Sequence, residues 1–315
     1  MKNAETKKTE YNFPKESLKK RMWKAKWFYL LMLPGLIYFI VYKYIPMWGI
    51  LMAFENYMPG KGIIGSDWVG LKHFANFFSG DKFEMLFRNT MIISVGSLVL
   101  SFPVPIILSL MLNEVRNNTY KKSIQTVLYL PHFLSSVVIC SLAYVLFSTE
   151  DGIINQIIVT FGGAKVNILM NKDTYYGLFI GTGIWQGAGW GTIIYLAALA
   201  GVDLQLYEAA KIDGANRWKQ LLYITIPSLL PIIMIQMVLS LGNVLDVSVE
   251  KTLLLSNAMN RNVAEVFDSF VYNRGIVNGE YSYSTAVGLF KSSVGVILVL
   301  GANWLSKKVT DEAIY

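Results

Sequence analysis

Charge is what this 315-residue sequence has least of. Only 16% of its residues are Asp, Glu, Lys or Arg, against about a quarter in soluble domains. A soluble fold of this length would have too little charge to cover its surface, so the composition points to a membrane protein. Cysteine occurs once, at Cys140, and histidine twice, at His73 and His132. A lone thiol forms no intramolecular disulfide, and no Cys/His cluster is present to hold a metal. There is no HExxH pair, no GxSxG elbow and no GxxxxGK[ST] phosphate loop. Neither a catalytic nor a metal-ligating set of residues is expected, which argues against an enzyme embedded in the membrane.

What the sequence has in abundance is apolar residues, 54% of the chain, with a mean hydropathy of +0.42. They gather into runs close to the roughly 20 residues that cross a bilayer as a helix. Six spans are expected, at about 27–45, 89–112, 122–147, 175–200, 225–247 and 284–306, making an all-α polytopic membrane protein. The first 26 residues carry nine Lys and Arg. With six crossings both termini share a side, which also holds Arg116, Lys121, Lys122, Lys211, Arg217, Lys219, Lys307 and Lys308. The remaining basic residues are spread over longer loops rich in acids, so both termini are expected to be cytoplasmic. The basic tail 1–26 then reads as a topological anchor rather than a nucleic-acid-binding arm, and 307–315 as a short cytoplasmic tail. It resembles the charged start of a signal peptide, but it is too long and no A-x-A-like site follows the apolar run, so it is expected to be retained.

The most informative polar stretch is 203–227, DLQLYEAAKIDGANRWKQLLYITIP, between spans four and five on the cytoplasmic side. Asp203 is placed to cap a short helix through Glu208, Ala209 and Ala210. Gly214 suits a helix end that needs a left-handed residue. Asn216 is placed to cap a second short helix, 217–223, before Ile226-Pro227 opens the next span. The alternative is an ordinary surface hairpin.

The spacing of Glu208-Ala209-Ala210, Gly214, Ile224 and Ile226-Pro227 resembles the EAA signature loop of importer-type ABC transporter permeases, with Ile226 in place of the usual leucine. Leu33-Pro34-Gly35, Lys43-Tyr44-Ile45-Pro46, Arg88-Asn89-Thr90, Tyr129-Leu130-Pro131-His132, Asp213-Gly214-Ala215-Asn216 and Val271-Tyr272-Asn273-Arg274-Gly275 look like carbohydrate-uptake permeases. More narrowly they resemble those serving oligosaccharides released from polysaccharides such as alginate or rhamnogalacturonan. The resemblance implies a type I ABC importer permease fold over 27–306 in a bacterial cytoplasmic membrane. It also implies a second homologous permease subunit, two copies of a cytoplasmic ATPase that binds the ATP and Mg, and an extracellular solute-binding protein that delivers the oligosaccharide. By the same resemblance, Glu208, Ala209, Ala210, Asp213, Gly214 and Ala215 are the ATPase-coupling residues, and the chain itself binds no cofactor. The alternative is an ion-coupled secondary sugar transporter, a class that usually shows paired repeats or charges deep in several spans.

Candidate substrate-path residues lie in the later spans. Gly183, Gly187 and Gly191 recur every four residues, so they stack on one helix face and let another backbone approach closely. Beside them, Trp185, Gln186 and Trp190 offer aromatic faces and an amide for a sugar, although Trp at such depth equally faces lipid headgroups. Asp246 and Lys291 either pair along the outer path or snorkel to water; Asn243 and Asn303 carry the same ambiguity. His132 reads as a hydrogen-bonded buried histidine rather than a ligand. Segment 262–275 has the periodicity of one helix capped by Asn262, apolar stripe down, with Arg261, Glu265, Asp268 and Arg274 facing outward. There it either meets a binding protein or plugs the outer mouth. Residues 150–173 read as an irregular loop.

Overall fold

The computed structural model describes residues 17–310, and the chain divides into two compact units, Met1–Leu51 and Met52–Tyr315. Lys2, Lys7, Lys8 and Lys15 of the basic tail, and residues 311–315 of the C-terminal tail, lie outside the described residues. The first unit contains α1 (Leu18–Lys24) and α2 (Lys26–Phe39). Before Pro46 the helix loosens into a π turn, Ile40–Tyr44, and then tightens into a 3-10 run, Ile45–Phe54. The whole helical run, Lys26–Phe54, extends well beyond the expected end near residue 45.

The second unit begins with a two-residue antiparallel pair, β1 (Glu55–Asn56) and β2 (Asp67–Trp68), enclosing α3 (Gly62–Gly65), and with α4 (Lys72–Phe78) after it. Next come α5 (Lys82–Ser101) and α6 (Pro103–Glu114). Pro103 lacks an N–H to donate, which interrupts the helix in name only, and Lys82–Glu114 forms one span. α7 (Asn118–Tyr129) is capped by Asn117, whose side chain accepts from the Thr119 and Tyr120 amides. The expected span 122–147 is broken. Pro131 lies in a 3-10 turn, Ser135 caps a new helix α8 (Ser136–Phe147), and the two halves meet at 104°.

The stretch 150–173, expected to be irregular, contains α9 (Ile153–Thr160). Fully buried Asn155 explains its order. Its amide nitrogen donates to the Ser148 and Val166 carbonyls, at 2.9 and 3.0 Å, and its oxygen accepts from the Val166 amide at 2.8 Å. On the exposed side of this loop, the Lys165 ammonium 2.7 Å from Glu150 holds that carboxyl below its ordinary range.

α10 (Lys172–Ala200), 29 residues long, bends by 68° into α11 (Leu204–Ile212). At about 1.5 Å per residue α10 is long enough to cross hydrocarbon. α12 (Arg217–Gln220) continues through a π turn, Leu221–Thr225, into α13 (Ile226–Gly242), so the expected separate helix 217–223 is instead the start of a 26-residue span. A π turn just before Pro227 widens the helix where the proline ring would press on the preceding turn. α14 (Val249–Leu255), α15 (Arg261–Ala264) and α16 (Phe267–Val271) follow, then a π turn at Tyr272–Val277 and the 30-residue α17 (Tyr281–Thr310). Four helices are long and apolar enough to cross a membrane, and up to six crossings result if each bent pair is one span.

Two apolar clusters bind this unit, and both gather around α14–α16. One joins Ile93 of α5, Cys140 of α8, Tyr175 and Phe179 of α10 and Leu255 of α14. The other joins Phe77 of α4, Leu86 of α5, Phe267 and Phe270 of α16 and Val287 of α17. The single helix expected over 262–275 is interrupted at Glu265–Val266. Its backbone bonds go instead to span two. The Asn89 amide, 0% exposed, donates to the Asn262 and Glu265 carbonyls at 2.9 Å each, and the Thr90 hydroxyl accepts from the Phe267 amide at 3.2 Å. Asn262 therefore caps nothing, and Glu265, expected to face outward, is buried.

Candidate coupling loop and translocation cavity

The 203–216 element is built from its own local chemistry. The Asp203 carboxylate accepts from the Gln205 amide at 2.9 Å and starts α11. At its other end Gly214 adopts φ +75°, which lets the Ala215 amide donate to the Ala210 carbonyl at 2.8 Å and the Gly214 amide to the Lys211 carbonyl at 3.1 Å. This pair of bonds is a Schellman termination, and a residue with a Cβ would be strained at that φ. The Asn216 side chain then accepts from the Lys219 amide at 2.9 Å. Two contacts moor the element. The Tyr207 hydroxyl lies 2.9 Å from the Thr225 hydroxyl of the next span, and Arg217 pairs with Glu114 of α6 at 3.1 Å. The second pair is largely exposed and worth about 1 kcal/mol at most. Glu208, Ala209, Asp213 and Gly214 are exposed, while Ala210 and Ala215 are half-buried. Around them Leu204, Leu206, Ile212 and Trp218 expose large apolar side chains.

A cavity of about 600 Å³ runs along α10 between α5 and α13, within the range of sites for small organic ligands. Its wall is mostly apolar, and Ser94, Ser97, Gln186, Gln236, Asn243 and Asp246 are among the residues that supply hydroxyl, amide and carboxylate groups to it. The glycine stripe of α10, expected to let another helix approach, does so only in part. Gly187 opens onto empty space, whereas a Cβ at Gly191 would press on Pro105 of α6 at 2.8 Å. The closest helix approach belongs to a glycine outside the stripe, Gly189, where a Cβ would collide with the Leu128 carbonyl of α7.

Of the residues expected to touch a substrate, Gln186, Asn243 and Asp246 line this cavity. Gln186 also donates to the Leu134 carbonyl at 3.0 Å, bracing α10 against the break between α7 and α8. Trp185 and Trp190 do not line it. Trp185 lies on the opposite face of α10, in an apolar groove against α8 with Leu142 and Phe147. Trp190 stacks flat on His132, centroids 4.3 Å apart and planes at 5°, so the histidine is exposed on an indole rather than buried in a hydrogen-bond network. Lys291 pairs with Asp246 at 2.6 Å and with Asp268 at 2.5 Å. Asp268, expected to face outward, is thus turned onto α17, where it also accepts from the Val247 amide at 2.9 Å.

Lys251 on α14 is 7% exposed and lines the same cavity. Its ammonium donates to the Phe179 carbonyl at 2.7 Å and stands 4.4 Å from the Phe179 ring centroid. α14 lies in the connection between the last two spans, and burial there pushes the Lys251 ammonium down to about 8.

Residues 101–311, which hold the 203–216 element and much of the cavity wall, match the family model for the inner membrane component of binding-protein-dependent transport systems. The chain belongs to this family. Among relatives, the polygalacturonan/rhamnogalacturonan transport system permease protein YteP of Bacillus subtilis (strain 168) is 50% identical over 306 residues, 96% of this chain and 95% of that one. Protein LplB of the same organism is 45% identical over 292 residues, 93% of this chain and 92% of that one. The fold matches a chain of a bacterial alginate ABC transporter, crystallised in complex with an alginate pentasaccharide-bound periplasmic protein. The TM-score is 0.87 and the identity 34%, over 94% of this chain and 99% of that one. The chain is accordingly an ABC importer permease, a non-catalytic membrane subunit.

Three features of this permease escaped the sequence. Asn89 and Thr90 stood in a motif whose purpose had no visible partner 170 residues away. Ser94 and Lys251 looked like ordinary polar residues, because nothing in their own segments shows that tertiary packing seals them.

Proposed function

We propose that this permease forms one half of the translocation path of an ATP-driven importer, passing an oligosaccharide derived from a polysaccharide. An extracellular solute-binding protein delivers the substrate, a second homologous permease completes the path, and two copies of a cytoplasmic ATPase drive it. Both termini and the 203–216 element face the cytoplasm, and α14–α16 face outward. The observation that carries this reading is the α11–Gly214–α12 element. It is capped at both ends, moored to α6 and α13, and exposes Glu208 and Gly214 amid large apolar side chains. An apolar surface on a polar loop is stabilised when a partner covers it, and a rigid moored element transmits that partner's motion to the spans. The hydroxyl and amide groups in the cavity wall suit a sugar, and the relatives named for polygalacturonan and alginate transport support that substrate class.

The test is gentle purification of the tagged protein from its native membrane. Recovery with an ATPase and a second multi-span protein, lost when Glu208 and Gly214 are both altered, is the expected result. Recovery of the chain alone, moving sugar on an ion gradient without ATP, would overturn the reading in favour of a secondary carrier.

A further inference from the structure

The cavity wall holds one buried charge that the described residues leave without a counter-ion. Among the described residues no carboxylate lies within 4.0 Å of the Lys251 ammonium, whose partners are one carbonyl and one aromatic face. The other charge on the wall, Asp246, is held by Lys291, and the second carboxylate of that cluster, Asp268, is turned away from the cavity onto the Val247 amide. An unpaired ammonium taken out of water costs several kcal/mol, and an apolar side chain of similar volume is frequently neutral or stabilising in such a place. Stability of the fold therefore does not explain the lysine. The surroundings make room for it. On α10 a Cβ at position 183 would stand 3.2 Å from the Lys251 nitrogen, so Gly183 leaves the approach to the ammonium clear. On α5 the Ser94 hydroxyl, in a residue 4% exposed, lines the same cavity with no hydrogen-bond partner.

We propose that Lys251 is the carboxylate-selecting residue of the path, so that the permease passes oligosaccharides carrying uronate groups faster than neutral ones of the same length. This rests on the oligosaccharide-importer reading and adds the charge of the substrate and the residue that reads it. The ammonium has three donors and the Phe179 carbonyl takes one, which leaves two for a passing carboxylate. A lysine suits transit better than an arginine. It meets a carboxylate as a point charge rather than a bidentate fork, and the Phe179 carbonyl and ring remain to receive the ammonium when the sugar moves on.

The experiment uses the whole transporter in proteoliposomes, with its partner permease, ATPase and loaded binding protein. The probes are a trigalacturonate and the same trisaccharide with its carboxyls reduced to alcohols. Uptake is expressed per loaded binding protein, so that selection by that protein is divided out. Lys251→Met is expected to slow the acidic probe about tenfold, the scale of one charge-assisted hydrogen bond, and the reduced probe much less. Lys251→Arg is expected to keep the preference for the acidic probe. Equal slowing of both probes would mean a structural role only, and unchanged uptake of the acidic probe would mean no role; either overturns the proposal. If the wild-type assembly takes up neither probe, the oligosaccharide reading itself fails. Uptake of both probes with a ratio indifferent to residue 251 removes Lys251 alone.

Discussion

Asn89 shows how much one side chain can organise when it is buried with both amide hydrogens and its oxygen engaged. Its amide nitrogen serves two carbonyls of the 262–265 segment, and its oxygen accepts from the Tyr176 hydroxyl at 2.8 Å, so one residue ties span two, α10 and α15. Asn89→Ala would leave the buried Glu265 carbonyl without its donor and would also remove the bonds to the Asn262 carbonyl and the Tyr176 hydroxyl. A stranded buried group costs about 1–3 kcal/mol, and the variant is expected to lose about that much. A lowered Tm in detergent, with faster amide exchange confined to 260–270, is the measurement that checks it. Arg88-Asn89-Thr90 was legible as a family motif, but its meaning was not, because its acceptors lie more than 170 residues downstream. Trp185 and Trp190 failed in the opposite direction. Their chemistry suited a sugar, yet helical phase turns one toward α8 and stacking on His132 occupies the other.

Elements differ in how far their own sequence determines them. The 203–216 turn is local: Asp203, Gly214 and Asn216 each satisfy a backbone group within a few residues, so caps and termination followed from composition alone. Gly214→Val places a β-branched residue at φ +75°, at a cost of about 1–2 kcal/mol. The permease should still insert, with ATP hydrolysis no longer driving uptake; normal sugar uptake alongside normal hydrolysis in that variant would remove the docking role. The 262–275 segment is the contrary case. Its apolar periodicity is helical, but Asn89 and Thr90 draw its central backbone groups elsewhere, and two short helices result. The same non-local logic governs Lys291, 12% exposed in its side chain, which joins α17 to Asp246 and Asp268. Lys291→Met leaves two carboxylates without their cation, and breaking such a pair costs about 3–5 kcal/mol where it is buried. Because Asp246 is mostly exposed, the lower end is expected. Adding Asp268→Leu should recover part of the lost Tm, and a double variant no better than the single would show that the three residues are not coupled.

At the scale of the whole molecule, both apolar clusters lie around α14–α16, while the cavity runs between α5, α10 and α13. Helices in lipid gain little from hydrophobic association and rely on close packing and internal hydrogen bonds, which is why Gly189 against the Leu128 carbonyl matters more than a larger side chain would there. The proposed orientation makes a prediction that needs no transport assay. Cys140 is buried and should be silent to a membrane-impermeant maleimide. A cysteine placed at exposed Ile212 should react only from the cytoplasmic side, and one at exposed Val159 of α9 only from the outside. Labelling of both from one side would invert or discard the topology.

The sequence by itself determined the membrane class, the apolar spans, the capped loop with its glycine, and the family, because each depends on runs or spacings within about 25 residues of chain. Tertiary structure alone decided where the third span breaks open into two helices at 104°, which residues of α10 face the cavity, and that Lys251 stands buried in its wall with no counter-ion among the described residues. The physical reason is the same in each case. Periodicity and capping are set by neighbours along the chain, whereas burial, pairing and the direction of a side chain are set by groups that only folding brings within a few ångströms.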